Sequence, residues 1–402
     1  MTRKALDMPV LVGHPFIPTG RGEDLRCAFR SFQAAGVGVT ICDLSSHQVG
    51  GDCELNQELN SHLVDQLSSQ ANVFYLNGDE IEKALNRVRD RLPASAYNVV
   101  CPQWELSRYP EEWRCRLDQF DEVWAPSRFV FDSLSKATTK PVFHLPLSVD
   151  GKLTSFLGRR YFDLPESAYI FLFVFDLRSY LARKNPLAVI EAFAEVCAHS
   201  PADDMRLVIK LHGIGSTIGS RSDYERLLAA VDDARCREKI IMASNLLTGN
   251  ETKNLVRCCD CFVSLHRSEG FGRTMAEAML FGKPVVATGY SGNLDFMSEA
   301  NSCLVRYRLV DVADGSYPHA RGQLWAEPDI DHAVAYMLKL VTDKNYGREL
   351  GRIASRHMRT HFSSRAVGLK YKNRVDAILR DPSSAEGRAT LRGTGQTIRS
   401  EP

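Results

Sequence analysis

The sequence predicts an α/β protein built around two parallel β-sheets. Short apolar runs of strand length alternate with amphipathic stretches of helix length, as in residues 170–175 followed by 186–199, and this alternation is typical of parallel sheets. The pattern loosens between residues 147 and 165 and then starts again. A chain of 402 residues is also long enough for two domains. We therefore expect two doubly wound, Rossmann-like domains that face each other across a ligand-binding cleft.

The first predicted domain spans residues 1–150. An apolar strand comes first, and a helix over 24–35 follows it and is closed by Gly36. The strands predicted for this domain, in chain order, are 8–12, 37–43, 72–76, 97–101, 122–125 and 141–145. Together they suffice for one doubly wound domain of ordinary size.

The second predicted domain spans residues 151–345. Its strands are predicted at 170–175, 207–211, 239–242, 261–265 and 284–288, and its first helices at 186–199 and from 223 onward. A last helical stretch over 346–380 is expected to cross back to the first domain. Residues 381–402 are rich in Ser, Gly, Thr, Arg and Glu and have almost no apolar residues, so we predict a disordered tail.

The overall composition argues against several classes of protein. A formal net charge of +1 gives no electrostatic footprint for nucleic acid, so no nucleic-acid partner is expected. No apolar run of about 20 residues suggests a membrane-spanning helix. The eleven cysteines are scattered, and Cys258 and Cys261, which form a Cys-x-x-Cys pair, lack the further ligands that a zinc site needs. We expect a cytoplasmic protein with free thiols and no metal site.

The strongest chemical signal lies between residues 264 and 279. An apolar strand is followed by a polar loop with two glycines, and a helix begins near Thr274. The N–H groups of a first helical turn point outward and the helix dipole favours negative charge, so this arrangement suits an anion. Two carboxylates lie beside it, Glu269 in the loop and Glu277 in the helix. Carboxylates accept hydrogen bonds from hydroxyl groups, so a diphosphate flanked by sugars would fit.

These residues resemble the retaining glycosyltransferases of the GT-B fold known as family four. The spacing from Glu269 to Glu277 matches the family's Glu-x7-Glu signature, and the later segments Gly-Lys-Pro-Val-Val-Ala-Thr and Tyr-Ser-Gly-Asn are also similar. The resemblance implies that Glu269 contacts the donor sugar and that Glu277 contacts the ribose. It also implies that the donor diphosphate is bound by the backbone N–H groups of Gly270, Phe271, Gly272 and Thr274.

The same family places basic residues after the first strand of its donor domain. Arg183 and Lys184 lie there in an Arg-Lys-Asn-Pro motif, although Phe175 and Asp176 replace the usual Gly-Arg after the strand. Lys184 aligns with the family's phosphate-binding lysine, and fixed cations stabilise a departing diphosphate. Lys210 is a further candidate for donor contact, with a solvated strand end as an equal alternative. No Asp-x-Asp motif lies at a suitable strand end, which favours metal-independent chemistry.

The first domain carries weaker signals. Gly22 lies in a Gly-Arg-Gly segment that fits the family's glycine-rich loop, and we include it among the candidate binding residues, although a plain tight turn explains it equally well. Glu105 follows the strand predicted at 97–101, in a Trp-Glu-Leu motif that resembles one subgroup and replaces the family's usual histidine. Glu105 is a candidate acceptor-orienting base, and a structural carboxylate is the alternative.

The resemblance therefore implies a retaining hexosyltransferase, with polysaccharide biosynthesis as the expected process. The donor would be a GDP- or UDP-linked sugar, and no other cofactor is expected. The acceptor would be a glycan or a lipid-linked glycan, and peripheral contact with the inner face of the membrane stays open. Two alternatives remain, namely a sugar phosphorylase of the same fold and a sugar-nucleotide-binding protein without catalytic activity.

Overall fold

The chain divides into two compact units. The computed structural model describes residues 8–45, 53–200, 204–215 and 220–380, so the predicted tail at 381–402 lies outside the described residues. Among the described residues, the first unit contains the chain up to Trp104, Arg108–Ser148 and Phe362–Arg380. The second unit contains Glu105–Ser107 and Val149–His361.

The first unit is built on a six-stranded parallel sheet. Its strands are β1 (Val10–Gly13), β2 (Thr40–Asp43), β3 (Ala71–Phe74), β4 (Tyr97–Val100), β5 (Glu122–Ala125) and β6 (Val142–His144). Their spatial order is β2-β1-β3-β4-β5-β6, and every neighbouring pair is parallel. Each of the six predicted strands is therefore present, displaced by no more than a few residues.

Helices connect the strands of this sheet. They are α1 (Gly20–Ala34), α2 (Cys53–Leu59), α3 (Ile81–Val88), α4 (Glu111–Leu117) and α5 (Arg128–Leu134). Helix α1 begins four residues earlier than predicted, because the Thr19 side chain accepts a hydrogen bond from the N–H of Gly22 and caps the helix there. Its residues Leu25, Phe29 and Phe32 are fully buried, at the spacing of one helix face.

The second unit has its own six-stranded parallel sheet. Its strands are β7 (Tyr169–Asp176), β8 (Met205–His212), β9 (Ile240–Ala243), β10 (Cys261–Ser264), β11 (Val285–Thr288) and β12 (Cys303–Val305). Their spatial order is β12-β11-β10-β7-β8-β9. Strands β13 (Tyr307–Asp311) and β14 (Leu324–Pro328) form a separate antiparallel pair. The sequence did not predict β12, β13 or β14, because β12 has three residues and β13 is largely exposed.

Helices follow each of the strands β7 to β10 of the second unit, and two more helices come after β14. In chain order these helices are α6 (Leu181–Lys184), α7 (Pro186–His199), α8 (Ser220–Asp232), α9 (Gly249–Cys258), α10 (Arg273–Leu280), α11 (Ile330–Thr342) and α12 (Lys344–His361). The core between sheet and helices is rich in aromatic and branched side chains, including Phe171, Phe173, Phe193, Leu207 and Val263. No helix among the described residues is long and apolar enough to cross a membrane.

The helical stretch predicted over 346–380 is divided in the structure. Helix α12 ends at His361, and α13 (Ser364–Arg380) begins after a short break and belongs to the first unit. Within that unit the Tyr371 ring stacks on Trp124 with centroids 5.5 Å apart. The Arg374 guanidinium group donates to Glu122, a carboxylate that is 0% exposed. Helix α13 is thus an integral part of the first unit's core.

Gly368 allows α13 to approach α1 closely. A Cβ atom added to Gly368 would lie 2.0 Å from the backbone oxygen of Ser31, which cannot rotate away. We predict that Gly368→Ala lowers the free energy of unfolding by about 2 kcal/mol, because overpacking typically costs about 1–3 kcal/mol. In an unobstructed helix the same substitution stabilises by roughly 0.5–1 kcal/mol.

Gly20→Ala is the matched control for chemical denaturation. Gly20 is the first residue of α1, and an added Cβ would meet nothing within 4 Å. We expect this variant to be as stable as the parent protein or slightly more stable. If Gly368→Ala were stabilised to the same extent, the close packing of α13 on α1 would be contradicted.

Candidate functional site

The loop between β10 and α10 forms the floor of the candidate site. It enters the helix through Gly272, which has φ +93° and provides no side-chain cap. A Cβ on Gly272 would lie 2.4 Å from Cε of Met275, a flexible side-chain end that can move, so it is the positive φ that favours glycine here. The first turn of α10 contains Thr274 and carries the partial positive charge of the helix N-terminus.

The segment that contains Ser291 and Gly292 holds this loop in place by hydrogen bonds. The N–H of Gly292 donates to the backbone oxygen of Glu269 at 2.9 Å, and the N–H of Glu269 donates to Oγ of Ser291 at 2.8 Å. A Cβ on Gly292 would lie 2.0 Å from the backbone oxygen of Gly270. Ser291 has φ +76°, a strained backbone conformation for serine that is frequent at functional sites.

A one-turn helix, α6, brings two cations to the loop. Tyr180 before it and Asn185 after it have φ values of +66° and +55°, so the chain turns sharply at both ends. The Asn185 side chain donates to the backbone oxygen of Leu265 at 3.0 Å. The backbone oxygen of Arg183 accepts from the N–H of Arg267 at 2.8 Å. These bonds fix Arg183 and its neighbour Lys184 beside the loop that contains Glu269.

The side chains of Arg183, Lys184 and Glu269 form a buried charge cluster. Lys184 Nζ donates to Glu269 Oε1, and an Arg183 Nη1 lies 3.3 Å from Glu269 Oε2. The same Arg183 nitrogen donates to the backbone oxygen of Ser268 at 2.9 Å. The side chains of Arg183 and Glu269 are only 4% and 10% exposed. Water screens such charges weakly, so their mutual interaction is strong.

The pKa values of the cluster follow from burial and mutual charge. Burial opposes ionisation of Glu269, but the charges of Lys184 and Arg183 prevail and lower its pKa to about 2. Burial likewise disfavours the charge on Arg183, yet Glu105 and Glu269 raise its pKa above the usual value. Burial lowers the pKa of Lys184, and Glu269 offsets part of that effect. Glu269 and Arg183 are therefore ionised near neutral pH.

Glu105 extends the charge cluster, and Tyr317 orients the Glu105 carboxylate. Glu105 Oε1 lies 3.8 Å from an Arg183 Nη2, and its other oxygen accepts the Tyr317 hydroxyl at 2.6 Å. The Ser268 hydroxyl donates to the backbone oxygen of Glu105. The Tyr317 ring packs edge-on against Tyr180, with centroids 4.8 Å apart. Sequence analysis missed Tyr317, which lies between β13 and β14 without any recognisable motif.

Asp176 explains the departure from the usual Gly-Arg at the end of β7. Its carboxylate accepts from the backbone and guanidinium groups of Arg178 at 2.7–3.0 Å. His212 Nε2 lies 3.1 Å from the second carboxylate oxygen. Burial alone would raise the pKa of Asp176, but His212 and Arg178 hold it well below its usual value. An ion-paired cluster thus replaces the glycine-rich turn at this strand end.

Lys210 has a different environment from the predicted cation pair. The residue is 3% exposed, and its ammonium group donates to the backbone oxygens of Leu211 and Asn245, at 3.0 and 2.8 Å. Burial lowers the pKa of Lys210. The alternative of a solvated strand end is therefore wrong, because the side chain is buried. A donor contact for Lys210 stays a prediction.

The other predicted residues lie in two different units. Glu277, on α10, is 8% exposed and shares the second unit with the charge cluster, as do Gly270 and Phe271. Gly22 belongs to the first unit, where an added Cβ would lie 2.2 Å from the backbone oxygen of Ile17. Glycine at this position is explained by close packing at the start of α1.

Neighbouring polar groups complete the site. His266 is fully buried, and its ring nitrogens lie 3.1 Å from Ser264 Oγ and 3.2 Å from Asn293 Oδ1. Burial lowers the pKa of His266, so the ring is neutral and has a structural role beneath the loop. In the part of the chain that the structure describes, no group of three or more His, Cys, Asp or Glu side chains is arranged to hold a metal ion.

Comparison with known proteins finds a family similarity in the second unit. Residues 159–357 match the family described as glycosyl transferases group 1. A curated relative, the D-inositol 3-phosphate glycosyltransferase of Salinispora tropica, is 30% identical over 225 residues. The match covers 55% of this chain and 41% of the relative, so the chain spans less than half of that protein's length.

Solved structures resemble the chain over most of its length. Sucrose-phosphate synthase from Thermosynechococcus elongatus has a TM-score of 0.66 at 13% identity, covering 92% of this chain and 99% of that one. The Anabaena protein HepE, solved in complex with UDP-glucose, has a TM-score of 0.64 at 12% identity, covering 92% and 100%. With the two six-stranded parallel sheets, these matches confirm the predicted GT-B fold of two Rossmann-like units.

The lowered pKa of Glu269 predicts a specific dependence of stability on pH. Because this pKa is about 2 in the folded protein against an ordinary value of 4.5, ionisation of Glu269 stabilises the fold above that ordinary value, and the effect is lost as the pH falls toward 2. Between about pH 6 and about pH 3 the lost contribution is about 2 kcal/mol. Over this interval the free energy of unfolding of the parent protein should therefore fall by about 2 kcal/mol more than that of Glu269→Gln.

Glu225→Gln is the control for this measurement, because Glu225 is an exposed carboxylate on α8. Urea denaturation at the two pH values, followed by circular dichroism, gives the comparison. Equal pH dependence in the parent protein and Glu269→Gln would show that Glu269 is not held ionised by the cations.

Proposed function

We propose that the protein is a retaining glycosyltransferase that transfers a hexose from a nucleotide-diphosphate sugar to a glycan or lipid-linked glycan. The observation that carries the proposal is the buried pair Arg183 and Lys184, held on Glu269 in the loop that leads into α10. The family match over residues 159–357 supports glycosyl transfer. HepE, which shares the fold, was solved with UDP-glucose bound, in line with a UDP- or GDP-linked donor here.

The donor diphosphate is proposed to bind between the cations and the N-terminus of α10. The backbone N–H groups of Gly270, Gly272 and Thr274 would bind phosphate oxygens, because anions are favoured at a helix N-terminus. Arg183 and Lys184 would add two fixed positive charges. Glu269 pairs with both of these cations, and Glu105 lies 3.8 Å from Arg183. A diphosphate brings its own negative charge, so it can take over the contact of Glu269 with Lys184.

The two glutamates are proposed to bind the sugar groups on either side of the diphosphate. Once Lys184 binds phosphate, the carboxylate of Glu269 can accept hydrogen bonds from hydroxyl groups of the transferred hexose. Glu277, further along α10, would accept from the ribose hydroxyls. A low pKa suits both roles, since an ionised carboxylate is the stronger acceptor. For Glu269 that condition is supported by its two cationic neighbours.

Transfer itself requires the diphosphate to leave with its electron pair. Negative charge then grows on the phosphate oxygen at the reacting bond, and Arg183, Lys184 and the helix N-terminus would stabilise it. The anomeric carbon becomes oxocarbenium-like, and the acceptor hydroxyl attacks from the side that the diphosphate leaves, which retains the configuration. The hydroxyl proton passes to the departing phosphate oxygen on that same side. Because these groups supply the positive charge, we propose that the reaction is metal-independent.

Glu105 is proposed to orient the acceptor. Its carboxylate reaches Arg183 at 3.8 Å and is held by the Tyr317 hydroxyl, so it lies at the border of the donor cluster. With 22% of its side chain exposed, it is more accessible than Glu269. A positioned carboxylate there can accept the hydrogen bond of an acceptor hydroxyl.

Two substitutions test the donor site. We predict that Lys184→Ala lowers kcat by about 100-fold or more, the usual loss when one fixed donor to a developing charge is removed. Glu277→Ala should raise KM for the donor, because it removes a contact made before and during transfer.

A thermal-shift panel of nucleoside diphosphates identifies the base, since only a ligand of the native state raises the melting temperature.

Lys152→Ala is the matched control, because Lys152 is an exposed lysine of the same unit. Its transfer rate and thermal shifts should equal those of the parent protein. NMR of the product gives the anomeric configuration, which should be that of the donor. Unchanged transfer in both Lys184→Ala and Glu277→Ala, or an inverted product, would overturn the proposal.

A further inference from the structure

Helix α12 of the second unit presents a stripe of arginine side chains to solvent. The four residues lie within an arc of about 80°, at about 100° per residue, and all are exposed: Arg348, Arg352, Arg356 and Arg359. Together with Gly282, Ser355 and Thr360 they line an open groove of about 530 Å³. We call this surface the arginine groove.

The arginine groove lies on a firmly held element. A Cβ on Gly351 would lie 2.0 Å from the backbone oxygen of Gly282, so α12 passes close to the end of α10. The Ser355 hydroxyl donates to the backbone oxygen of Leu280 at 2.8 Å. Leu350, on the opposite side of α12, is buried in the unit's core. The arginines therefore project from a fixed helix.

The charge of the groove is poorly balanced within the protein. Glu349 pairs with Arg352 at 2.5 Å, whereas Arg348 donates to the neutral side chain of Asn345. Arginines four residues apart repel, and each such pair costs a helix roughly 0.2–0.5 kcal/mol. Arg348 lies in the N-terminal half of α12, where the helix dipole gives a cation no stabilisation. Arg359, in contrast, lies in the last turn, where a cation is favoured, so helix stability explains only part of the stripe.

We propose that the arginine groove docks the protein on the surface of an anionic phospholipid membrane. The stripe from Arg348 to Arg359 is about 16 Å long at about 1.5 Å per residue, which suits a row of lipid phosphates better than one compact phosphate. A cluster of four basic residues on an amphipathic helix is a pattern that binds anionic headgroups. Aromatic side chains, on which nucleic-acid bases would stack, are absent from the described residues that line the groove.

Vesicle flotation with the full chain tests this proposal. We expect binding to vesicles of phosphatidylcholine with about a third phosphatidylglycerol and none to phosphatidylcholine alone, because the attraction is to surface charge. Raising the salt to about 1 M should release the protein, since the Debye length falls to about 3 Å. Inorganic phosphate at matched ionic strength should release no more protein than sodium chloride does, which separates a lipid surface from a free phosphate ligand.

A pair of double variants supplies the control. Arg352→Gln/Arg356→Gln should weaken vesicle binding about 30-fold, whereas Arg226→Gln/Arg237→Gln, with the same loss of charge at exposed sites away from the groove, should weaken it little. Nucleoside diphosphate binding should be unchanged in both, so failure of the proposed activity would not affect this result. Equal vesicle binding by the two double variants, no binding by the parent protein, or binding of an RNA oligomer in place of vesicles would overturn the proposal.

Discussion

The pairing of buried charges is the interaction on which the candidate site depends. Arg183 and Glu269 are 4% and 7% exposed, and an isolated ion at such depth costs several kcal/mol of solvation. The cations and the carboxylate therefore stabilise each other's charge. The backbone departs from ordinary conformations around them, with positive φ at Tyr180 and Ser291, so that α6 and the loop can meet. A diphosphate could take the place of the carboxylate without leaving the cations unpaired.

The need to pair buried charges also involves residues around the site. Tyr317, from the segment between β13 and β14, donates to Glu105, and that carboxylate adds a second negative charge near Arg183. Below the loop, His266 is neutral and bonded to uncharged partners. His266 thus contacts uncharged groups, whereas Arg183, Lys184 and Glu269 pair with one another. These pairings keep the charged side chains in fixed positions.

The sequence predicted much of this fold and part of the site, for physical reasons. Central strands such as β7 are continuous apolar runs, and the glycine-rich loop before α10 has fixed spacing, so both are visible locally. The exposed strand β13 and the break at Phe362 depend on packing that a local pattern does not record. Tyr317 was missed because it is far along the chain from Glu105 and meets it only in the folded unit. Lys210 was equally ambiguous, since burial of its ammonium group on carbonyl oxygens follows from tertiary structure.

A double-mutant cycle on nucleoside diphosphate binding tests most directly whether Glu269 and the diphosphate compete for Lys184. Calorimetry would compare the parent protein, Glu269→Gln, Lys184→Ala and the double variant. If they compete, Glu269→Gln tightens binding by about tenfold, or about 1.4 kcal/mol, when Lys184 is present, and clearly less when it is absent. Weaker binding by Glu269→Gln, or the same factor in both backgrounds, would contradict the account.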